Sequence, residues 1–171
     1  MRKVFLASLL AFALVFGTCD LVYANDAEKI QIITEIGSLS NNDNYNSALE
    51  KANEALKKYP DEADLYYWRG TSLYSLGRKQ EALKDLNKAL EINPNETTYL
   101  VMRGICRSEL MDADGAIADF NKAIEINPKL PSAYLMRASL KLAAGEYESA
   151  NQDLDTANKL FEIESVQEPS K

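Results

Sequence analysis

The sequence has no histidine. A Ser-His-Asp triad, a Cys-His pair and a zinc site with a histidine ligand are therefore impossible within this chain. Glycine and proline are scarce, with seven and five among 171 residues, which excludes a collagen-like chain. Positive charge is also limited, because 19 lysines and arginines stand against 26 aspartates and glutamates. The resulting formal charge of −7 would repel a phosphate backbone, so we expect no nucleic-acid partner.

The N-terminal residues have the pattern of an export signal. Arg2 and Lys3 precede an apolar run from Val4 to Phe16, and a short stretch then ends at Ala24, a small residue suited to signal peptidase. The run is shorter than the roughly 17–25 residues that a membrane-spanning helix needs. We expect residues 1–24 to be a signal peptide and the mature protein to be periplasmic or secreted.

The two cysteines allow a second interpretation of the N-terminus. Cys19 follows the apolar run, as the acylated cysteine of a bacterial lipoprotein does, although Thr18 fits that cleavage site poorly. A membrane-tethered lipoprotein is therefore the alternative, and we expect membrane contact only if Cys19 is lipidated. Cleavage after Ala24 leaves Cys106 as the remaining cysteine. We expect Cys106 to be a small buried residue, because one cysteine cannot form an intramolecular disulfide.

A 34-residue period runs through the rest of the chain. It is marked by three sets of small or helix-ending residues: Pro60, Pro94 and Pro128; Ala48, Ala82, Ala116 and Ala150; Ala55, Ala89, Ala123 and Ala157. The period defines four units, residues 29–62, 63–96, 97–130 and 131–164. Two helical patterns separated by a short loop predict a helical hairpin in each unit. We expect the polar segment 165–171 to be a disordered tail.

Small residues recur where the helices of a hairpin should meet. Gly70 and Gly104 lie inside first helices, where glycine costs about 1 kcal/mol, so we expect the facing helix to need their space. Conversely, Asn151 and Asn158 replace apolar residues of the earlier units, which predicts a wettable end of the array and a monomer.

The second unit resembles the tetratricopeptide repeat. Its signature positions are occupied by Tyr66, Gly70, Gly77, Ala82, Leu86, Ala89 and Pro94. The resemblance implies an all-α, right-handed superhelical solenoid of about four hairpins. It further implies that the first helices line a concave groove holding a peptide or protein segment, with no catalysis and no cofactor. The first unit departs from the pattern, with Glu35-Ile36 in place of Arg-Gly.

Oppositely charged residues recur sixteen positions apart in every unit. They are Arg69 with Asp85, Arg103 with Asp119, Arg137 with Asp153 and, with both signs reversed, Glu35 with Lys51. In an antiparallel hairpin such positions lie at similar height, so we expect one ion pair between the helices of each unit. If exposed, each pair contributes about 0.2–1 kcal/mol.

By analogy with the family, one face of each first helix points into the groove. The sixteen positions are Ile30, Ile33, Gly37 and Ser40; Asp64, Tyr67, Thr71 and Tyr74; Thr98, Val101, Ile105 and Ser108; Ser132, Leu135, Ser139 and Leu142. None is cationic, which argues against an acidic peptide tail as ligand, although Arg107 and Lys141 lie one residue away. We expect an apolar segment to bind at Tyr67, Thr71, Tyr74, Val101, Ile105, Leu135 and Leu142. Tyr67 and Tyr74 are the expected anchors, replaceable by alanine without loss of stability.

The remaining motifs do not point to chemistry. Asp112, Asp114 and Gly115 hint at a calcium loop, but the spacing lacks its terminal glutamate, so we expect no metal and assign Asp112 or Asp114 as a helix N-cap. The sequence therefore favours an exported, non-catalytic interaction module. The alternative is a structural subunit of a cell-envelope assembly, secretion or cell-wall complex, which is lipid-anchored if Cys19 is acylated.

Overall fold

The computed structural model describes residues 26–167, with side chains described to Ile163. These residues form helices joined by short turns. The helices are α1 (residues 26–41), α2 (Tyr45–Lys58), α3 (Ala63–Ser75), α4 (Lys79–Ile92), α5 (Thr97–Glu109), α6 (Ala113–Ile126), α7 (Pro131–Ala143) and α8 (Tyr147–Gln167). The expected all-α solenoid of four hairpins is confirmed. The expected signal peptide, Cys19 and residues 168–171 lie outside the described residues.

Contacts run between neighbouring helices along the array. From α2 onward each helix packs against the next, and α5 also contacts both α3 and α7. The first helices α3, α5 and α7 thus form one layer, and the second helices α4, α6 and α8 lie on the other side of each hairpin. Such nearest-neighbour packing is the defining feature of a solenoid.

The turn inside every hairpin has the same backbone conformation. Its positive-φ position is held in turn by Asp43, Gly77, Met111 and Gly145. In the second hairpin the Gly77 N–H donates to the Tyr74 carbonyl and the Arg78 N–H to the Leu73 carbonyl, both at 2.9 Å. These two bonds form a Schellman motif, which satisfies carbonyls at a helix end. Glycine adopts this conformation freely, whereas Asp43 and Met111 adopt it at φ 61° and 64° against a steric penalty.

Gly70 and Gly104 lie where the two helices of a hairpin are in closest contact. A Cβ atom at Gly104 would be 2.6 Å from Cε1 of Phe120, and one at Gly70 would be 3.2 Å from Cγ of Leu86. The expectation that the facing helix needs this space is confirmed. Cys106 is fully buried, also as expected, and its thiol donates to the Lys79 carbonyl at 3.2 Å.

The last helix is longer than its counterparts. α8 continues to Gln167, so residues 165–167, expected in a disordered tail, are helical. The physical reason is that Glu162 occupies the position of Pro60, Pro94 and Pro128, and nothing there prevents the helix from continuing. In the stretch 26–167, no helix combines the length and apolar character that crossing a membrane requires.

Candidate functional site: the face of the first helices

The candidate site lies on α3, α5 and α7, the described first helices that follow α1. Its seven expected binding residues are Tyr67, Thr71 and Tyr74 on α3, Val101 and Ile105 on α5, and Leu135 and Leu142 on α7. We call these seven residues the first-helix face. Leu142 is 40% exposed, and the other six are half-buried.

Tyr67 is packed against its neighbours on one side and stays partly exposed. Its ring stacks on Tyr99 with centroids 5.0 Å apart and an interplanar angle of 23°, and it meets Trp68 edge-on, also at 5.0 Å. It also packs against two buried clusters. These contacts argue against the expectation that Tyr67 can be replaced by alanine without loss of stability, because the ring bridges adjacent first helices.

The rest of the first-helix face divides into partly packed and more open side chains. Tyr74 and Val101 each border a buried cluster. The Thr71 hydroxyl donates to the Tyr67 carbonyl at 2.9 Å. Ile105, Leu135 and Leu142 belong to none of the clusters found among the described residues. These three residues are therefore the side chains that can change with least effect on the core.

The expected groove narrows at α1, where two of its predicted positions are covered. A Cβ atom at Gly37 would lie 2.9 Å from Cζ2 of Trp68, so the indole of α3 lies directly on this glycine. The Ser40 hydroxyl forms a 3.0 Å hydrogen bond with Ser72, and Ser40 is buried. The prediction that Gly37 and Ser40 line an open groove is wrong, because α1 and α3 approach closely there.

A polar edge borders the face where α3 and α5 begin. The Tyr99 hydroxyl donates to Oδ1 of Asp64. Glu96 caps α5 and accepts the Thr98 N–H at 3.2 Å. Burial raises the pKa of the Tyr67 and Tyr99 hydroxyls, and the carboxylates of Asp64 and Glu96 raise both further. Two tyrosine hydroxyls thus lie in a locally negative environment.

The two cations next to the predicted face point into the hairpins. Arg107 Nη1 lies 2.8 Å from Asp119 Oδ2, and Lys141 Nζ lies 2.8 Å from Asp153 Oδ2. Neither of these cations is therefore available at the first-helix face.

The structure brings together all four charge pairs that the sequence places sixteen residues apart. In three hairpins the arginine donates two hydrogen bonds to the aspartate. The distances are 2.7 and 2.7 Å from Arg69 to Asp85, 2.9 and 2.6 Å from Arg103 to Asp119, and 2.8 and 2.5 Å from Arg137 to Asp153. Lys51 pairs with Glu35 in the first hairpin. Bidentate pairing by a planar guanidinium fixes geometry as well as charge.

Sequence reasoning missed a third contact of each arginine. Nη1 of Arg69, Arg103 and Arg137 donates to Asn53, Asn87 and Asn121 of the preceding hairpin, at 3.0, 3.1 and 2.6 Å. Each arginine therefore joins three helices and links neighbouring hairpins. The signal was present in the sequence, since these asparagines share the 34-residue period.

The remaining candidate motif is a helix cap. Asp112 is the N-cap of α6, and its side chain accepts the Gly115 N–H at 3.0 Å, as expected for one of the two assigned aspartates. Across the described part of the chain, no group of three potential ligands could hold a metal ion.

Comparison with known families identifies the repeat. One tetratricopeptide repeat profile matches residues 38–97 and another matches residues 97–130. Together the two matches cover more than half of the sequence. The chain belongs to the tetratricopeptide repeat family. No curated protein matches the sequence.

Solved structures of other repeat proteins share the fold. The crystal structure of MamA has a TM-score of 0.73 at 19% identity, with 86% of each chain covered. The first tetratricopeptide repeat domain of Spaghetti (RPAP3), bound to the HSP90 peptide SRMEEVD, has a TM-score of 0.65 at 19% identity, covering 68% of this chain and 93% of that one. YrrB, a repeat protein with an unusual peptide-binding site, has a TM-score of 0.65 at 26% identity, covering 73% and 64%.

Proposed function

We propose that this protein is an exported, non-catalytic interaction module that binds a peptide or protein segment along the groove of its first helices. The observation that carries the proposal is that three apolar side chains of the first helices, Ile105, Leu135 and Leu142, are partly exposed and belong to no buried cluster among the described residues. Two proteins with the same fold, RPAP3 and YrrB, bind a peptide or have a peptide-binding site, which supports this use of the fold.

The chemistry of the first-helix face favours an apolar ligand. Its residues are aromatic and aliphatic apart from Thr71, whose hydroxyl is already bonded to its own helix. Contiguous exposed apolar surface typically marks a place where another protein binds. Such side chains give the apolar residues of a peptide a surface to pack against.

The test compares two matched pairs of substitutions. Ile105→Ser with Leu135→Ser removes apolar surface from the first-helix face while leaving the described clusters intact. Ile92→Ser with Ile126→Ser is the control, because it makes a similar change at exposed positions on second helices. The ligands are peptides from a random displayed library, selected for binding to a protein that consists of residues 25–171. We expect the first variant to bind at least tenfold more weakly, about 1.4 kcal/mol, and the control to bind normally.

Equal helicity of both variants by circular dichroism would show that the fold is retained. Unchanged peptide binding by the Ile105 and Leu135 variant would overturn the proposal. If only the control variant, Ile92→Ser with Ile126→Ser, fails to capture a natural partner, the result would instead favour the second candidate. In that candidate the protein is a structural subunit of an envelope complex. That candidate is supported by the exposed apolar side chains of Ile92, Ile126, Phe161 and Ile163 on the second helices.

The location of the protein is a separate part of the proposal. It rests on the export pattern in residues 1–24. Fractionation of the producing cells distinguishes the outcomes: osmotic-shock release of a free monomer supports a soluble exported module. Detergent-dependent recovery in a large complex supports a tethered subunit, and recovery of the full-length chain with cytoplasmic proteins would overturn export.

A further inference from the structure

We propose that the segment held by the first-helix face is extended, has an apolar side chain at about every third position, and places a lysine or arginine beside Asp64. This inference rests on the proposed function and adds the chemical class of the ligand. Two independent features lead to it, which are the spacing of the apolar side chains and the charge along one edge of the face.

The spacing follows from one row of side chains that crosses the array. Tyr67, Val101 and Leu135 hold the same place on α3, α5 and α7, and each is half-buried. Packed helices lie about 8–10 Å apart. A chain in the polyproline II conformation turns once in three residues and advances about 3.1 Å per residue, so every third side chain returns to the same side about 9 Å further on. One apolar side chain can therefore meet each helix.

The charge along the Asp64 edge of the face is negative. Tyr99 donates to Oδ1 of Asp64, and no described residue donates to Oδ2. Glu96 lies close enough to act on the same two tyrosine hydroxyls as Asp64. A third carboxylate, that of Glu62, is paired with Lys29 at 3.0 Å. The carboxylates of Asp64 and Glu96 thus border the row without a cation of their own chain bound to them.

Two positive features of the face leave the Asp64 edge negative. The N-terminus of α5 would attract an anion, but Glu96 already accepts a backbone N–H there and supplies the negative charge. At the opposite edge, near Tyr74, Lys79 is paired with Glu109 at 2.6 Å. A cationic side chain of the ligand is therefore complementary to the Asp64 edge, and an acidic one is repelled.

The experiment measures the affinity of three synthetic peptides by fluorescence anisotropy. All have blocked ends, leucine at every third position and serine elsewhere, and they differ in one lysine, glutamine or glutamate placed before a leucine. We expect the lysine peptide to bind about three- to fivefold more tightly than the glutamine peptide, the size of one exposed charge pair, and the glutamate peptide to bind most weakly.

Asp64→Asn tests whether the preference arises at the proposed place. Asparagine keeps an oxygen that can accept the Tyr99 hydroxyl, so the fold should persist, and we expect the ratio of lysine to glutamate affinity to fall towards one. Asp155→Asn removes the same charge from an exposed position on α8 and should leave the ratio unchanged. An unchanged ratio in Asp64→Asn, or equal affinities of the three peptides, would overturn the inference.

The spacing and the underlying function are tested by the same peptides. A peptide with leucine at every second position that binds equally well would overturn the spacing. If library peptides bind and Ile105→Ser with Leu135→Ser abolishes their binding, while the three synthetic peptides bind equally or not at all, this inference fails and the proposed function stands. If the serine variant binds every ligand normally, the proposed function itself fails.

Discussion

The first and third hairpins hold their two helices together with opposite arrangements of charge. In the first, Lys51 and Glu35 form a single contact between side chains that are 33% and 51% exposed. In the third, Arg103 holds Asp119 through two hydrogen bonds, and the side chains are only 18% and 4% exposed. An ion pair that joins the two helices of a hairpin is therefore exposed to solvent in the first hairpin and largely buried in the third.

The difference shows what the arginine does beyond pairing within its hairpin. The third contact of Arg103 reaches Asn87 of the preceding hairpin. A lysine in place of Arg103 could not make this contact while keeping two bonds to the Asp119 carboxylate. Among the described helices none precedes α1, so the first hairpin has no such partner to reach. The three hairpins that follow another hairpin therefore use a guanidinium with several fixed donors, and the first described hairpin uses a simple charge pair.

The largest expected effect is loss of the buried pair. Arg103→Ala leaves Asp119 buried with Arg107 as its remaining cation, and we expect the free energy of unfolding to fall by about 3 kcal/mol. Lys51→Ala should lower it by less than about 1 kcal/mol, because the pair is exposed to water. Urea denaturation followed by circular dichroism measures both changes.

A double-mutant cycle checks that this difference belongs to the pair. Arg103→Ala and Asp119→Ala should show clear coupling, and Arg103→Lys should be intermediate because it keeps the charge but loses the fork. Equal destabilisation by Arg103→Ala and Lys51→Ala would contradict the comparison between the hairpins.

The next effect concerns the contact between helices in the third and fourth hairpins. Gly104→Ala forces a methyl group against Phe120, and we expect a net loss of about 1–2 kcal/mol after the gain in helix propensity. The fourth hairpin has Ala138 at this position, opposite Leu154. Adding Phe120→Leu to Gly104→Ala copies that combination and should recover part of the lost thermal stability.

The matched control for this prediction is in the second hairpin. At Gly70 the atoms nearest to an added Cβ are Cγ of Leu86 at 3.2 Å and the Ala82 carbonyl oxygen at 3.3 Å, farther away than Phe120 is from a Cβ at Gly104. Gly70→Ala should therefore cost less than Gly104→Ala, with an effect within about 1 kcal/mol of zero. A larger loss at Gly70 than at Gly104 would show that the space between the helices is not what selects glycine.

A smaller effect distinguishes the turns of the second and third hairpins. Gly77 and Met111 share the positive-φ position, but Met111 is 92% exposed and makes no use of its side chain in the core. Met111→Gly should therefore raise the free energy of unfolding by about 1 kcal/mol, and Gly77→Met should lower it by a similar amount. Thermal denaturation of the two variants measures the opposite shifts, and shifts of the same sign would refute the argument.

These differences also show how far sequence reasoning reaches. The hairpins and the spaces at Gly70 and Gly104 follow from residues that recur at the 34-residue interval, so the period reveals them. The cap at Asp112 follows from the local sequence at the start of one helix. The stacking of Tyr67 on Tyr99 and the contact of Trp68 with Gly37 depend on how neighbouring hairpins are oriented. That orientation arises from the sum of many small contacts between different units, and one repeat does not specify it.

The continuation of α8 belongs to a different class, because the information was available in the sequence. Proline ends α2, α4 and α6 at one position of the period, and Glu162 replaces it in the last unit. The helix therefore continues, since glutamate provides the backbone N–H that proline lacks. The absence of a proline at this position predicts the longer helix, just as the repeated residues predict the hairpins.

The smallest expected effect is a dependence on pH in the fourth hairpin, where a lysine joins the arginine pair. Burial opposes ionisation of Asp153, but hydrogen bonds from Arg137 and Lys141 outweigh it and hold the pKa of Asp153 below its ordinary value. A carboxyl with a lowered pKa in the folded state contributes stability above its ordinary pKa of 3.8, and this contribution is lost as the pH falls through the folded value.

Asp153→Asn removes this titrating group. We expect the difference in free energy of unfolding between the original chain and the variant to be constant above about pH 5 and to narrow below about pH 4, as the original chain loses its ionic contribution. Urea denaturation midpoints across this range measure the difference. A difference in free energy of unfolding that stays constant down to the acid range would contradict this prediction. It would mean that Asp153 stabilises the hairpin by packing and neutral hydrogen bonding, and that pairing with two cations is not what distinguishes this hairpin from the first.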